Sequence, residues 1–414
     1  MAQSVDVAPP ASPAFGFDPW SPAFVAHPYD VYARLRDEAP ITWFEPTQQW
    51  LVSRYADVSA LLRDRRLGRT YLHLGTHEEF GHPPDPPELA PFWHVVRNGM
   101  LDREPPDHTR LRRLVSKAFT PRRVAELRPT VERIADRVVD DLLAAGGGDL
   151  ISIVAEPLPV TVIAELLGIP EADRHRLRPW SADICGMYEL NPSPEAARKA
   201  VAACEEFSAY LRDLVRFRRA NPADDLLSAL VRVHDEGDRL TEDELIGTCV
   251  LLLNAGHEAT VNATGNGWWA LFRNPDQLAA LRSDPGLLPT AVEELLRYDT
   301  PAQMFERWVL EDFEWGGQQF RKGTELALLF GSANRDPAVF RDPDRLDLAR
   351  TDNPHISFGV GIHYCLGAPL ARVELQASFG ALLRRAPNLS LVREPEWKPG
   401  YIMRGLKELL VQVE

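Results

Sequence analysis

The chain has 414 residues, is 45% apolar and 26% charged, and carries a formal net charge of −14. That composition is globular with a sizeable core, and the acidic balance argues against broad nucleic-acid binding. No uncharged apolar run of about 18 residues occurs, so no membrane-spanning helix is expected.

Residues 1–20 are rich in proline and alanine and lack a basic or apolar leader segment, so they read as a flexible arm, not a secretory signal. Ile41–Phe44 and Trp50–Ser53 flank Pro46-Thr47 and predict a hairpin. Leu67 to Pro106 is proline-rich and poorly periodic, the mark of a long binding loop. From about Arg110 to Asp299, apolar residues recur every three or four positions and predict helices, most plainly in Val124–Leu143 and Ala203–Phe217. Arg110, Arg113, Lys117, Arg122 and Arg123 form either a solvated basic face or a docking patch for an acidic partner. Thr241–Glu244 fits a capping box opening a buried helix to about Phe272, and Thr290–Glu293 marks a second helix start. The last third holds short strands: Trp308–Phe320 around Gly316-Gly317, Glu325–Phe330 and Leu389–Val392. The fold class is mainly α with a minor β region.

Ala255-Gly256-His257-Glu258-Ala259-Thr260 lies inside the buried helix. A glycine there costs about 1 kcal/mol relative to alanine, which suggests room made for a ligand. An acid on an apolar helix is unusual without a partner. His257 and Glu258 point about 100° apart, so they do not make a metal pair. Glu294 and Arg297 share a helical face, as do His108 and Arg112; alone, such pairs are usually weak surface contacts. Cys185, Cys204, Cys249 and Cys365 are scattered without a CxxC pair, as expected of a reducing cytoplasm.

Cys365 sits in the glycine-rich run Ser357–Pro369, before a helix read from Leu366 to Glu374 with Pro369 in its first turn. Gly359, Gly361 and Gly367 would permit turns that side chains forbid. A helix N-terminus favours thiolate, and an exposed thiolate oxidises, so a metal or cofactor cover is expected. The plainer alternative is a small buried core cysteine.

Phe358, Gly361, Cys365 and Gly367 spell Phe-x-x-Gly-x-x-x-Cys-x-Gly, which resembles the haem-binding loop of the cytochrome P-450 family. His-x-x-x-Arg at His108, the helix around Gly256 and Glu-x-x-Arg at Glu294 follow that family's order, and the resemblance runs from about Pro19 to the end. It implies a triangular, mostly helical single domain over residues 21–414, binding haem b. Cys365 becomes the axial iron ligand, whose electron donation favours O–O cleavage. Phe358, Gly359, Gly367 and Ala255 become haem neighbours, and His108, Arg112, Arg307 and His363 propionate contacts. Glu294 and Arg297 become a buried structural pair tied to a later arginine. Arg345 fits the family's Pro-x-Arg-Phe element better; Arg350 is the alternative. Gly256 would open a groove for O2 and Glu258 would deliver protons.

One position departs from the pattern: Ala259 stands where the family usually has threonine. A substrate hydroxyl or water replaces the missing group, or Thr260 does, or the chemistry differs. The first is favoured because Thr260 is rotated about 100° away. Phe92, Trp93, Leu252, Gln303, Met304, Ile402 and Met403 match substrate-contact segments. The implied enzyme is a monomeric monooxygenase inserting one atom of O2 into a small apolar or aromatic substrate, by hydroxylation or oxidative dealkylation. Its electrons would come from a ferredoxin and an NAD(P)H-dependent reductase. Alternatives are atypical oxidation (coupling, nitration, dehydration) and a haem sensor or electron carrier.

Overall fold

The structure, a computed structural model, describes residues 15–235 and 240–413, without the side chains at 117, 118, 121, 234 and 235. The strands are β1 Ile41–Phe44, β2 Gln49–Val52, β3 Leu67–Gly68, β4 Gly147–Asp149, β5 Phe305–Val309, β6 Phe313–Trp315, β7 Gln318–Phe320, β8 Glu325–Leu328, β9 Ser390–Leu391 and β10 Leu410–Gln412. The largest sheet has the order β1-β2-β8-β5-β3, the second β4-β10-β9, and β6 pairs with β7. The expected hairpin is present, with Ile41 opposite Val52 and Phe44 opposite Gln49.

A 32-residue central helix, Glu242–Arg273, opens at the expected capping box. The Thr241 hydroxyl accepts from Glu244 N at 3.1 Å, and Glu244 Oε2 accepts from Thr241 N at 2.9 Å. Pro121–Ala144, Pro157–Leu167, Leu288–Tyr298 and Ala368–Arg385 share its apolar core, which explains why leucine, valine and isoleucine recur at helical spacing in each. No helix among the described residues is long and apolar enough to cross a membrane.

Three expectations change. Residues 1–14 lie outside the described residues, but Phe15–Trp20 is no free arm. Phe17 is buried, with its ring 5.0 Å from both Phe24 and Phe44 and 5.5 Å from Tyr401. The long loop contains a helix, Ala90–Asn98. Pro91 hid it in the sequence, yet a proline in the first turn forfeits no internal hydrogen bond. The predicted start at Thr290 moves to Leu288, and the Thr290 hydroxyl donates inside that first turn to Leu287 O at 2.9 Å.

Candidate active site

Cys365 lies on a tight loop. Its N–H donates to Phe358 O at 2.9 Å, and Gly359 N donates to Ile356 O at 2.8 Å. Gly359 and Gly361 have φ of +66° and +80°. A side chain at Gly361 would also bring its Cβ to 2.7 Å from Leu62 O, so geometry and space both demand glycine there. Gly367 corrects the expectation: its φ is −78°, which any residue adopts. The following helix begins at Ala368, two residues later than expected.

Burial pushes the Cys365 thiol above its ordinary pKa, against the N–H groups of Gly367 and Ala368 and the charges of Arg112 and Arg372. Burial acts with far less opposition on Cys185, Cys204 and Cys249, each pushed up to about 12. Among the four thiols, Cys365 is the one where backbone N–H groups and two arginines together oppose burial.

Behind the loop stands a buried polar frame. Arg297 donates from Nε and Nη2 to both Glu294 oxygens, at 2.7 and 2.8 Å, with both side chains fully buried. Arg350 Nε donates to Glu294 Oε2 at 3.1 Å. This corrects the choice of Arg345, which is exposed and contributes only its carbonyl, 3.4 Å from Arg297 Nη2. The turn closed by Arg345 N and Asp342 O aims that side chain outward and buries Leu346 instead. Arg297 Nη1 also donates to Asn334 O, and the Asn334 amide donates to Ser357 Oγ at 2.9 Å, next to Phe358. The frame is thus hydrogen-bonded through Asn334 to Ser357 at the start of the cysteine loop.

The four residues expected to supply cationic or N–H donors converge. The His108 and His363 rings are 4.3 Å apart, and Arg112 Nη2 reaches Tyr364 O at 2.6 Å, beside Cys365. Both ring nitrogens of buried His108 lack a partner among the described residues. Burial, then His363 and Arg112, push its pKa down to about 4. Arg307 is buried, donates only to Glu306 O at 2.8 Å, and is pushed down to about 9 by burial and by Arg69. Its guanidinium has no carboxylate within 4.0 Å among the described residues. A cluster with unspent donors and under-neutralised charge fits the two propionates of a porphyrin. Sequence reading missed two members. Glu104 accepts from Arg69 N at 2.6 Å and lies 3.2 Å from His363 Nε2; neither residue has a local motif.

On the central helix, Ala255 is exposed and Leu251, Leu252, Gly256, Glu258 and Ala259 are partly open, whereas Leu253, Asn254, His257 and Thr260 are buried. Buried apolar helices seldom open in mid-length, so this stretch borders the site. The missing Cβ of Gly256 would stand 2.9 Å from Ile163 Cδ1, so this glycine makes room for the neighbouring helix rather than directly for a ligand. Glu258 pairs with Lys398 Nζ at 2.8 Å and with Asn262 Nδ2 at 3.3 Å. Burial alone would raise its carboxyl; Lys398 outweighs that and holds it below the usual range. The Thr260 hydroxyl is spent on Gly256 O at 3.3 Å and Glu374 Oε2 at 3.4 Å, so it does not replace the group missing at Ala259. His257 Nδ1 lies 3.3 Å from Ser181 Oγ, a packing role.

Glu374 is buried with one oxygen unpartnered among the described residues, and burial pushes it up to about 8. A folded-state pKa above the unfolded value makes its contribution complete below about pH 4.5 and lost as pH rises toward 8. That window is worth at most about 5 kcal/mol. Glu374→Gln should therefore gain stability relative to the natural protein between pH 5 and 8.5. Parallel denaturation midpoints for the two across that range would refute the assignment.

Of the substrate calls, Phe92 is buried and Trp93 partly open, with ring centroids 5.0 Å apart. Leu252 is partly open, and Met403 bridges Ala302 at the loop edge. Gln303, Met304 and Ile402 instead lie in packed core. The Gln303 amide accepts from Tyr32 at 2.8 Å and donates to Thr300 O at 2.6 Å, so it is consumed by the fold.

The basic patch is also largely consumed. Arg110 pairs with buried Glu244, Arg122 with Glu126 at 2.8 Å and Arg123 with Asp224 at 3.1 Å. Arg113 is exposed, and the Lys117 side chain lies outside the described residues. Closer to Cys365, exposed Ile362 and Tyr364 are flanked by Arg112 and by Arg372, whose ring contact with Phe358 is 4.5 Å. Arg372 was legible only as a helix position two turns beyond the cysteine.

The family model for Cytochrome P450 matches residues 181–387. The cytochrome P450 monooxygenase PikC of Streptomyces venezuelae is 43% identical over 399 residues, covering 94% of this chain and 92% of its own. The 6-deoxyerythronolide B hydroxylase of Saccharopolyspora erythraea is 41% identical over 398 residues, covering 93% and 96%. The crystal structure of P450BioI with an acyl-ligated acyl carrier protein superposes with a TM-score of 0.88 at 37% identity, covering 95% of this chain and all of that one.

Proposed function

Because the chain belongs to the cytochrome P450 family, a family of haem-thiolate monooxygenases, we propose that it oxidises an oxygen-bearing secondary metabolite of largely apolar character, with electrons from a separate ferredoxin. The observation carrying this reading is the juxtaposition of Cys365, the unspent donors His108 and Arg307, and the open stretch of the central helix. Haem held there would supply O2 activation. The chain's own residues do the rest. Arg112, Arg307, His108 and His363 would hold the propionates, Phe92 and Trp93 would exclude water, and Glu258 with Lys398 and Asn262 holds a charged, hydrogen-bonded proton-transfer point.

Ala259 offers no hydroxyl, and Thr260 is already engaged. The substrate's own hydroxyl, or a water it orders, then completes the proton path. That requirement favours an oxygenated substrate over a plain hydrocarbon, and it narrows the expectation of a simple apolar or aromatic compound. Hydroxylated and deoxy members of a macrolactone series, compared by spin-state shift and by product-to-peroxide ratio, test it. Ala259→Thr should raise product over peroxide most for deoxy compounds. Equal coupling across the series in both proteins would dispose of the substrate-hydroxyl role.

A ferredoxin would meet the face around exposed Ile362 and Tyr364, rimmed by Arg112 and Arg372. Reduction should slow with added salt, and Ile362→Glu, which adds a negative charge to that face, should slow it further at low salt. A rate indifferent to both would argue for a different donor or face.

A further inference from the structure

The short connection between the helices Leu177–Cys185 and Pro194–Ala220 is joined to the C-terminal loop by one carboxylate. Tyr401 N and Ile402 N donate to Glu189 Oε2 at 2.8 and 3.0 Å, and Met403 N donates to Oε1 at 2.9 Å. Successive backbone N–H groups converging this way make a concave anion site, and bonds to a charged acceptor are the strong class. A Cβ on Gly400 would lie 2.8 Å from Glu189 Oε1, so the carboxylate rests directly on that backbone.

The two ends differ in how firmly they are held. Gln303 N donates to Ile402 O at 2.9 Å, Arg404 N to Pro301 O at 2.8 Å, and Asn262 Nδ2 to Met403 O at 3.2 Å. The loop is thus fixed to the β side and to the central helix. On the other end, residues 189–192 make no further hydrogen bond to another element among the described residues; their remaining tie is apolar, Leu190 packing against the cluster that holds Tyr401 and Ile402. Next to Glu189, Tyr188 borders a small cavity with Val95 and Leu251, beside the open stretch of the central helix. Asn262 joins the same loop to Glu258, at 3.3 Å.

We propose that Glu189 is a positioning residue. Its carboxylate pins the inter-helix connection onto residues 401–403 and so keeps the space beside the open stretch of the central helix closed over its ligand. The inference rests on the reading of that open stretch as the border of the substrate site. Opening for substrate entry or product exit then requires three backbone bonds to release one carboxylate together.

The test uses the holoenzyme and the variants Glu189→Ala and Glu189→Gln. Amide exchange over residues 401–403 is followed by mass spectrometry. Binding and release of 4-phenylimidazole are followed by stopped-flow absorption. In Glu189→Ala those amides should exchange about tenfold faster or more, and both ligand rates should rise about tenfold at a nearly constant Kd. Glu189→Gln keeps a carbonyl acceptor and should fall between; it carries the test if the alanine variant does not fold. Protected amides, or fast-exchanging amides with unchanged ligand rates, would overturn the proposal. Failure of 4-phenylimidazole to change the natural protein's spectrum would instead sink the substrate-site reading, and amide exchange would still decide whether Glu189 pins the loop.

Discussion

Cys365→Ser is expected to abolish substrate oxidation and the thiolate signature of the carbon monoxide complex, while changing folding stability little. The swap is nearly isosteric, and the loop is held by backbone bonds that serine retains, such as Cys365 N to Phe358 O. What is lost is the one thiol whose anion is supported by two N–H groups and two arginines. Cys204→Ser and Cys249→Ser are the controls. Both thiols are buried and pushed up to about 12, far from any role as an anion at neutral pH. They should leave the spectrum unchanged and cost stability alone. A spectrum preserved in Cys365→Ser would place the iron ligand elsewhere.

Arg350→Ala is expected to destabilise the fold by about 1.5–3 kcal/mol, since it removes one charged hydrogen bond from a fully buried carboxylate that Arg297 still neutralises. Asn353 Nδ2 at 3.3 Å and Asp347 N at 3.0 Å still reach Glu294, which places the loss nearer the lower figure. Arg345→Ala should stay within about 0.5 kcal/mol, because that side chain is exposed and only its carbonyl is used. Chemical denaturation of the holoenzyme reads both. Equal losses, or a larger loss for Arg345→Ala, would contradict the frame. Because Asn334 links this frame to Ser357, Arg350→Ala should also speed haem loss.

The contrast between those two arginines marks where sequence reasoning stopped. Motif order identified the cysteine loop, the Glu294–Arg297 pair and the central helix because each is local, with fixed spacing on a turn or helix. Which of two arginines five residues apart turned inward depended on a turn closed at Asp342 and on Leu346 filling the core. Lys398 pairs with Glu258 across 140 residues, and Glu189 meets Tyr401 across 212. Contacts at such range leave no periodic trace. The helix Ala90–Asn98 was concealed by Pro91, and the purpose of Gly256 by Ile163 on another helix. Phe17 shows the same limit: a proline-rich flank disguised an aromatic core residue.

Turnover under isotopically labelled O2, with a ferredoxin, its reductase and a substrate chosen by spin-state shift, tests the central claim most directly. The account predicts one labelled oxygen atom in each product molecule and the other in water, in the natural protein and not in Cys365→Ser. Product formed without label, or labelled product from Cys365→Ser, would contradict it.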